Sequence, residues 1–500
     1  MLESALQQSE EQQDTEAMLM MAYLSAGEYD KVIDLANKLS TQFPDNPLPP
    51  LAVGMASEAS KDFATARRQY DKVLGLDPDQ IAALLGHARL DMNEGNVTDA
   101  RERYQAVLAI KPDHTEALVA LAYLLELVGD IDQAVVLLEK ARQAAPGLLE
   151  PRLILGNYYL KRGDVEQAMV YAKEAHAINP EDRRVLFVLG KAQLFSGDPE
   201  AVPTLLQLTE QAPDFPEAHY YLGLVKIKLR DMQGAHDSLQ RALKLNPDLM
   251  QARLALGNLE FQRGNTDKAL EIARQLQKTY PDSVSGYLLE GDVRKLKKDV
   301  NGALAAFASA LARAEEADIV VRISRVQKQL GQSQTSYDTL QHWLQKHPDH
   351  HSARLALAMT YMTDGQNDEA MREFRIILET RPDDAVVLNN LAYLLHETGK
   401  PGAIEMAERA HRLAPDNPAI HDTYGWLLVQ AGRVESGLIA LEQAAEKAPG
   451  NYDIRYHRAA ALARVGQTAR AKQELEAILQ AGNAFQERGQ AEALLEKLSN

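Results

Sequence analysis

Apolar positions never run on for long in this chain. They come in short helical stretches, and each is soon broken by charge or by a helix-ending residue. The stretch Ala117 to Leu125 is interrupted by Glu126 and then by Gly129. Within the stretches, small residues recur at fixed places. One series is Gly54, Ala88, Ala122, Gly156, Gly190, Gly223, Gly257, Gly291, Ser324, Ala358, Ala392, Gly425 and Ala459. A second is Ala66, Ala100, Ala134, Ala168, Ala201, Ala235, Ala269, Ala303, Ala370, Ala403 and Ala471. A small residue on each of two neighbouring helices lets their axes approach while larger side chains interdigitate around the contact. The pattern therefore predicts helix pairs throughout and no strand.

The breaks give the period. Pro44, Pro78, Pro112, Pro146 and Pro180 stand 34 residues apart, and Pro213, Pro247, Pro281, Pro348, Pro382, Pro415 and Pro449 continue the series with one proline missing. Proline lacks the N–H and clashes with the preceding turn, so it ends the second helix of each pair. Gly27, Gly95, Gly129, Gly163, Gly197, Gly264, Gly331, Gly365, Gly399, Gly432 and Gly466 fall midway and suit the left-handed residue that closes the first helix. Asp follows the proline at nine of twelve sites, and there it is expected to cap the next helix.

A period of 34 residues with Leu155, Gly156, Tyr159, Ala168, Ala175 and Pro180 at these offsets resembles the tetratricopeptide repeat (TPR). The resemblance implies an all-α solenoid, a right-handed superhelix of helix-turn-helix units. The expected organisation is a partial helix of a preceding repeat over 1–14, units one to nine over 15–313, units ten to fourteen over 314–483 and a capping helix over 484–500. In that last helix Leu494, Leu495 and Leu498 would cover the final apolar face, with Glu487, Arg488, Glu492, Glu496 and Lys497 toward water. At Ala314-Glu315-Glu316-Ala317-Asp318 a proline is missing and one residue is lost. This marks either a bend between two stretches or drift in a tolerant loop.

Composition narrows the function. Five hundred residues would ordinarily suggest several domains, but an array buries each unit on its neighbours. A net charge of −17 argues against tracking phosphates and against lying on an anionic membrane. The absence of cysteine excludes disulfides, thiolate metal sites and thiol nucleophiles. Gly399-Lys400 is followed by Pro401 and lacks the first glycine of a phosphate-binding loop; Ser283-Val284-Ser285-Gly286 is no nucleophile elbow; His396-Glu397 does not continue into a zinc motif. His347, His350 and His351 cluster without a carboxylate pair at helical spacing and read as a solvated loop rather than a metal site. No enzyme, metal or cofactor is expected, and the partners are other proteins or peptides held in a concave groove, not nucleic acid and not membrane.

In such an array the first helix of each unit lines the groove. The position after the small residue is polar in Asn157, Lys191, Asn258, Asp292 and Arg325 and aromatic in Tyr393 and Trp426, with Asn389, Asn390, His396, Asp422 and His457 nearby. Any one of these alone reads as a residue that solvates an open face. Together they read as a binding surface, because asparagine offers both donor and acceptor and aromatics anchor contacts. The strongest contact is expected around Asn389, Asn390, Tyr393, Asp422 and Trp426. The carboxylate clamp of eukaryotic chaperone-binding TPR domains is not matched: Lys191 and Arg184 have no matching asparagine, and Leu153 stands where Asn157 would need a lysine.

The last third carries Asn389-Asn390-Leu391-Ala392-Tyr393-Leu394-Leu395, Ala407-Glu408-Arg409-Ala410, Asp422-Thr423-Tyr424-Gly425-Trp426-Leu427-Leu428 and Tyr456-His457-Arg458-Ala459. This run resembles the C-terminal units of the PrsT-type TPR lipoproteins, which accompany the exosortase and PEP-CTERM sorting system and exopolysaccharide gene clusters. The resemblance implies a periplasm-facing scaffold, associated with the outer membrane through a lipid anchor. The start shows neither a signal peptide nor a lipid-bearing cysteine, and Met1-Leu2-Glu3-Ser4-Ala5-Leu6 reads as the tail of a helix begun in the middle of a unit, so the expectation is a fragment of a longer lipoprotein. A cytosolic TPR adaptor of another pathway is the alternative.

Overall fold

The computed structural model describes residues 15–481 and 485–499; the expected partial helix over 1–14 lies outside them. All regular structure among the described residues is helical, from a helix over 15–26 to Arg488–Ser499. No described helix is long and apolar enough to cross a membrane. The chain divides into two compact units, Met1–Ala252 and Arg253–Asn500.

In the first unit the repeating element is plain at Leu149–Arg162 and Val165–Ile178, then Arg183–Ser196 and Ala201–Gln211, then Pro216–Lys228 and Met232–Leu245. Arg183–Ser196 packs on its own second helix, on the second helix before it, and on the first helices before and after it. No pair has a core to itself. Leu153, Ala168, Ala172 and Ala175 of one pair bury Val185, Val188, Leu189 and Ala192 of the next, while Leu186 and Leu194 turn to Leu205, Leu208, Ala218 and Leu222. The small series sets the spacing: a methyl on Gly190 would lie 2.6 Å from Leu205, so the pair could not close as it does.

The second unit builds on the same rule with two variations that the sequence series left blank. Ser324 and Ser336 replace the small apolar pair and share a buried hydrogen bond between their hydroxyl oxygens, 2.8 Å apart. Gly437 completes the second-helix series and faces Gly425, whose carbonyl oxygen would be 2.6 Å from any added Cβ. The irregular 314–318 segment lies within this unit. Its Ala317, with Val320 and Val321 just beyond it, enters the same apolar cluster as Tyr337 and Trp343. Arg488–Ser499 closes the series, with Ala491 buried and Leu494, Leu495 and Leu498 packed on Tyr456, Leu475 and Ile478.

One expectation about helix ends needs correction. The Asp after each proline does not cap; the cap falls one residue later, where Asp182 accepts from the Arg184 N–H and Asp384 from those of Val386 and Val387. Two of these Asp residues take an ion pair instead, Asp383 with Arg409 at 2.7 Å and Asp416 with Lys447 at 2.8 Å. The glycine ladder has three rungs without glycine: Lys61, Arg230 and Lys298 hold the left-handed conformation there, with φ of 66°, 60° and 62°. Helix ends are also secured across repeats. Lys228 donates to the Leu194 carbonyl at 2.6 Å, and in the second unit Arg464 donates to that of Val429 at 2.9 Å. Each cation thus meets the negative end of the preceding first helix.

Candidate functional site

The helix Arg183–Ser196 starts at the Asp182 cap and stops at left-handed Gly197, which fixes its rotation. One of its faces is buried through Val185, Leu186, Leu189, Gly190 and Ala192. Phe187, Lys191 and Phe195, four residues apart, therefore form one stripe off that face, as helical periodicity requires. Phe187 meets Phe215 at 5.0 Å and Tyr221 at 5.5 Å between ring centroids. A cavity of about 580 Å³ opens here, walled by Leu153, Ile154, Phe187, Val188 and Phe215, with Arg183, Arg184, Glu150 and Asp214 also lining it.

Asn157 lines the same cavity, one repeat before Lys191. Its Nδ2 donates to the Leu153 carbonyl at 3.0 Å, which leaves Oδ1 to accept from the Lys191 ammonium, also at 3.0 Å. The sequence had left Lys191 without a matching asparagine; the repeat geometry supplies one, but with its acceptor toward the amine. The Lys191 Nζ also lies 5.0 Å from the Phe187 ring centre and 5.6 Å from that of Tyr221. Burial, followed by the charge of Lys161, pushes the Lys191 amine below the usual lysine range. Lys161 itself is paired with Glu126 at 2.9 Å.

The other predicted residues scatter. Asn258 and Arg325 are exposed and make no side-chain hydrogen bond or ion pair among the described residues; Arg325 borders a cavity of about 840 Å³ with Val321, Leu355 and Met359. Asp292, on the same cavity, is held by Arg322 at 2.5 Å. His396 is exposed. Tyr393 is 40% exposed, whereas Asn390 donates to the Val386 carbonyl of its own helix at 2.9 Å. Asn389 keeps a buried Oδ1 without a partner. Tyr123, 52% exposed, occupies the same place in its repeat as Tyr393 and was overlooked, although the position rule alone finds it.

Asp422, Trp426 and His457 do come together. His457 Nδ1 lies 2.7 Å from Asp422 and Nε2 lies 2.7 Å from Glu487. The imidazole stacks on Trp426 at 4.3 Å and 19°, and the Arg464 guanidinium stands 5.8 Å from the indole. Burial opposes the imidazolium, but the two carboxylates outweigh it and raise its pKa to about 9. Glu487, expected to face water, is therefore turned inward. Trp426 also packs on the apolar clusters around Val429, Leu462, Tyr456 and Ala491. The histidines of 347–351 part company: His347 stacks near Trp343 at 4.2 Å, His350 caps the helix His351–Thr363, and His351 lies 2.9 Å from Asp384.

Stacked helix pairs with an open, aromatic-lined first-helix face define a repeat scaffold for protein contacts. Profiles described as tetratricopeptide repeat match residues 58–122, 92–153 and 159–224, and again 225–284 and 340–418. The chain belongs to the tetratricopeptide-repeat family, and its fold is the all-α TPR solenoid. It is 25% identical over 245 residues to the TPR repeat-containing protein PA4667 of Pseudomonas aeruginosa, covering 48% of this chain and 35% of that protein. It is 32% identical over 110 residues to the human protein O-mannosyl-transferase TMTC3, covering 22% of this chain and 12% of that one. The chain thus matches about a third of the first relative and about an eighth of the second. Among solved structures, yeast Tom70 aligns over 87% of this chain and 99% of its own at 15% identity and a TM-score of 0.46. A tetratricopeptide repeat protein from Parabacteroides merdae aligns over 49% and 98% at 14% identity and a TM-score of 0.43.

Proposed function

We propose that this chain is a protein-interaction scaffold that holds extended segments of partner proteins on its first-helix face, with the Phe187 cavity as the principal anchor. The observation that carries the reading is the cavity itself. It is walled by aromatic and aliphatic side chains from three consecutive repeats and remains open. Aromatic-lined clefts with a few polar groups are where peptide side chains gain most on burial.

The finer assignment follows the resemblance of the segment Asn389 to Ala459 to the PrsT-type lipoproteins. On that basis the scaffold faces the periplasm, as part of a lipid-anchored protein, and serves exopolysaccharide export or the linked exosortase and PEP-CTERM sorting system. The test is site-specific photo-crosslinking in cells. A benzophenone amino acid replacing Phe187 should capture a defined partner. The same residue replacing Val136, which is 54% exposed on a second helix, should not. Equal capture at both positions, or none at Phe187, overturns the groove reading. Partners that are all cytosolic overturn the periplasmic assignment.

A further inference from the structure

Lys191 has what a lysine amine needs except a counter-ion. Its Nζ is half enclosed by Phe187 and Tyr221 and donates to the Asn157 side-chain Oδ1, yet no carboxylate pairs with it among the described residues. Three cations of the same repeats are matched: Arg184 by Asp182 at 2.8 Å and Glu150 at 3.2 Å, Lys161 by Glu126, and Arg152 by Glu174 at 3.0 Å. A cation drawn out of water and left unpaired is costly, so its persistence beside an open cavity points to an anion that arrives with a ligand.

We infer that Lys191 receives an acidic side chain, Asp or Glu, of an extended partner segment whose neighbouring apolar side chain fills the Phe187 cavity. This deepens the groove reading above and rests on it. Asn157 spends one of its two amide hydrogens on the Leu153 carbonyl and turns its side-chain oxygen to the Lys191 ammonium. The ammonium keeps further N–H donors, and one of them can pair with a side-chain carboxylate. The aromatic rings also remain useful when the anion is seated, because they shield the ion pair from water and so strengthen it.

The probe is a library of random twelve-residue peptides displayed between constant linkers, so that no peptide ends freely, panned on the whole chain. Wild type should select an acidic residue next to an aromatic or aliphatic one. Changing that acid to its amide in a selected peptide should weaken binding about tenfold. The variant Lys191→Met should keep the apolar preference, lose the acidic one and bind acid and amide forms within about twofold of each other. Lys191→Glu should shift selection toward Lys and Arg. Selection without an acidic preference in wild type, or an acidic preference that survives in Lys191→Met, overturns the inference while leaving the groove intact. If Phe187→Ala leaves all selected peptides bound, or no peptide is selected, the groove reading fails and the inference with it. The melting temperature of Lys191→Met should equal or exceed that of wild type, which separates lost recognition from lost folding.

Discussion

Two sites in this molecule pair a cation with aromatic rings, and they differ in one respect. In the first unit, Lys191 lies against Phe187 and Tyr221 and has an amide oxygen but no carboxylate. In the second, His457 lies against Trp426 and has two carboxylates, Asp422 and Glu487. The second site is complete: its imidazolium is held between two carboxylates, its indole joins the core, and it ties the last repeat to the segment that leads into Arg488–Ser499. The first has one valence left over. The difference separates aromatic residues that hold the array together from those that are available to a ligand, although both sets occupy first helices and both look alike in sequence.

The largest effect expected from breaking this contrast is at His457. His457→Ala leaves Asp422 and Glu487 facing each other with little solvent, at a cost of about 3 kcal/mol. Hydrogen exchange should rise over 452–499 and stay unchanged in the first unit, because repeat arrays open locally. Trp426→Ala follows at about 2 kcal/mol, less than a fully enclosed indole because Trp426 is only partly buried. Phe187→Ala should cost about 1 kcal/mol of stability and yet abolish capture of the partner. A Trp426 variant that kept full protection, or a Phe187 variant that unfolded its repeats, would reverse the assignment of the two sites.

Titration sharpens the contrast by sign. The His457 pKa is raised to about 9 from an ordinary value of 6.5. Its contribution is fully present below pH 6.5 and is lost as pH rises through about 9. The Lys191 pKa is lowered, so the folded state carries a penalty at neutral pH that is relieved as pH climbs toward the usual lysine value. The stability gap between wild type and His457→Gln should therefore shrink with rising pH, and any gain from Lys191→Met should shrink as well. Local opening free energies from hydrogen exchange at several pH values report both. The smallest effect belongs to Asn390→Ala with Tyr393→Ala. Asn390 bonds to its own helix and Tyr393 is exposed, so stability should change by less than about 0.5 kcal/mol. A loss of partner binding in that double variant would move the binding surface into the second unit.

The array was legible because its determinants are local and repeated. Proline, glycine and small residues act through backbone geometry and close approach, and both survive translation by 34 residues. What escaped notice were substitutions that keep the geometry without the expected residue. Lys61, Arg230 and Lys298 accept a left-handed backbone that glycine would adopt with less strain. Ser336 and Gly437 fill small positions that an alanine rule skips. The site was less legible, since it depends on which side chains of adjacent repeats meet. Asn157 and Lys191 appeared as separate polar positions, and only the stacking of their helices makes them one contact. Glu487 stood in a helix-forming run that suggested solvent, and it took the closing turn to bring it onto His457.

The contacts from Lys228 to the Leu194 carbonyl and from Arg464 to that of Val429 have a bearing on how such a protein is cut into pieces. In these two repeats the end of the first helix carries the cation that finishes the preceding one. A boundary placed at the proline after Leu208 would leave the Leu194 carbonyl without its donor, although every residue of that repeat were retained. The natural module is therefore staggered against the 34-residue period and runs through the next first helix. Fragments for crystallisation or partner mapping should end after Lys228 or Arg464, where the last complete repeat keeps the charge that closes it.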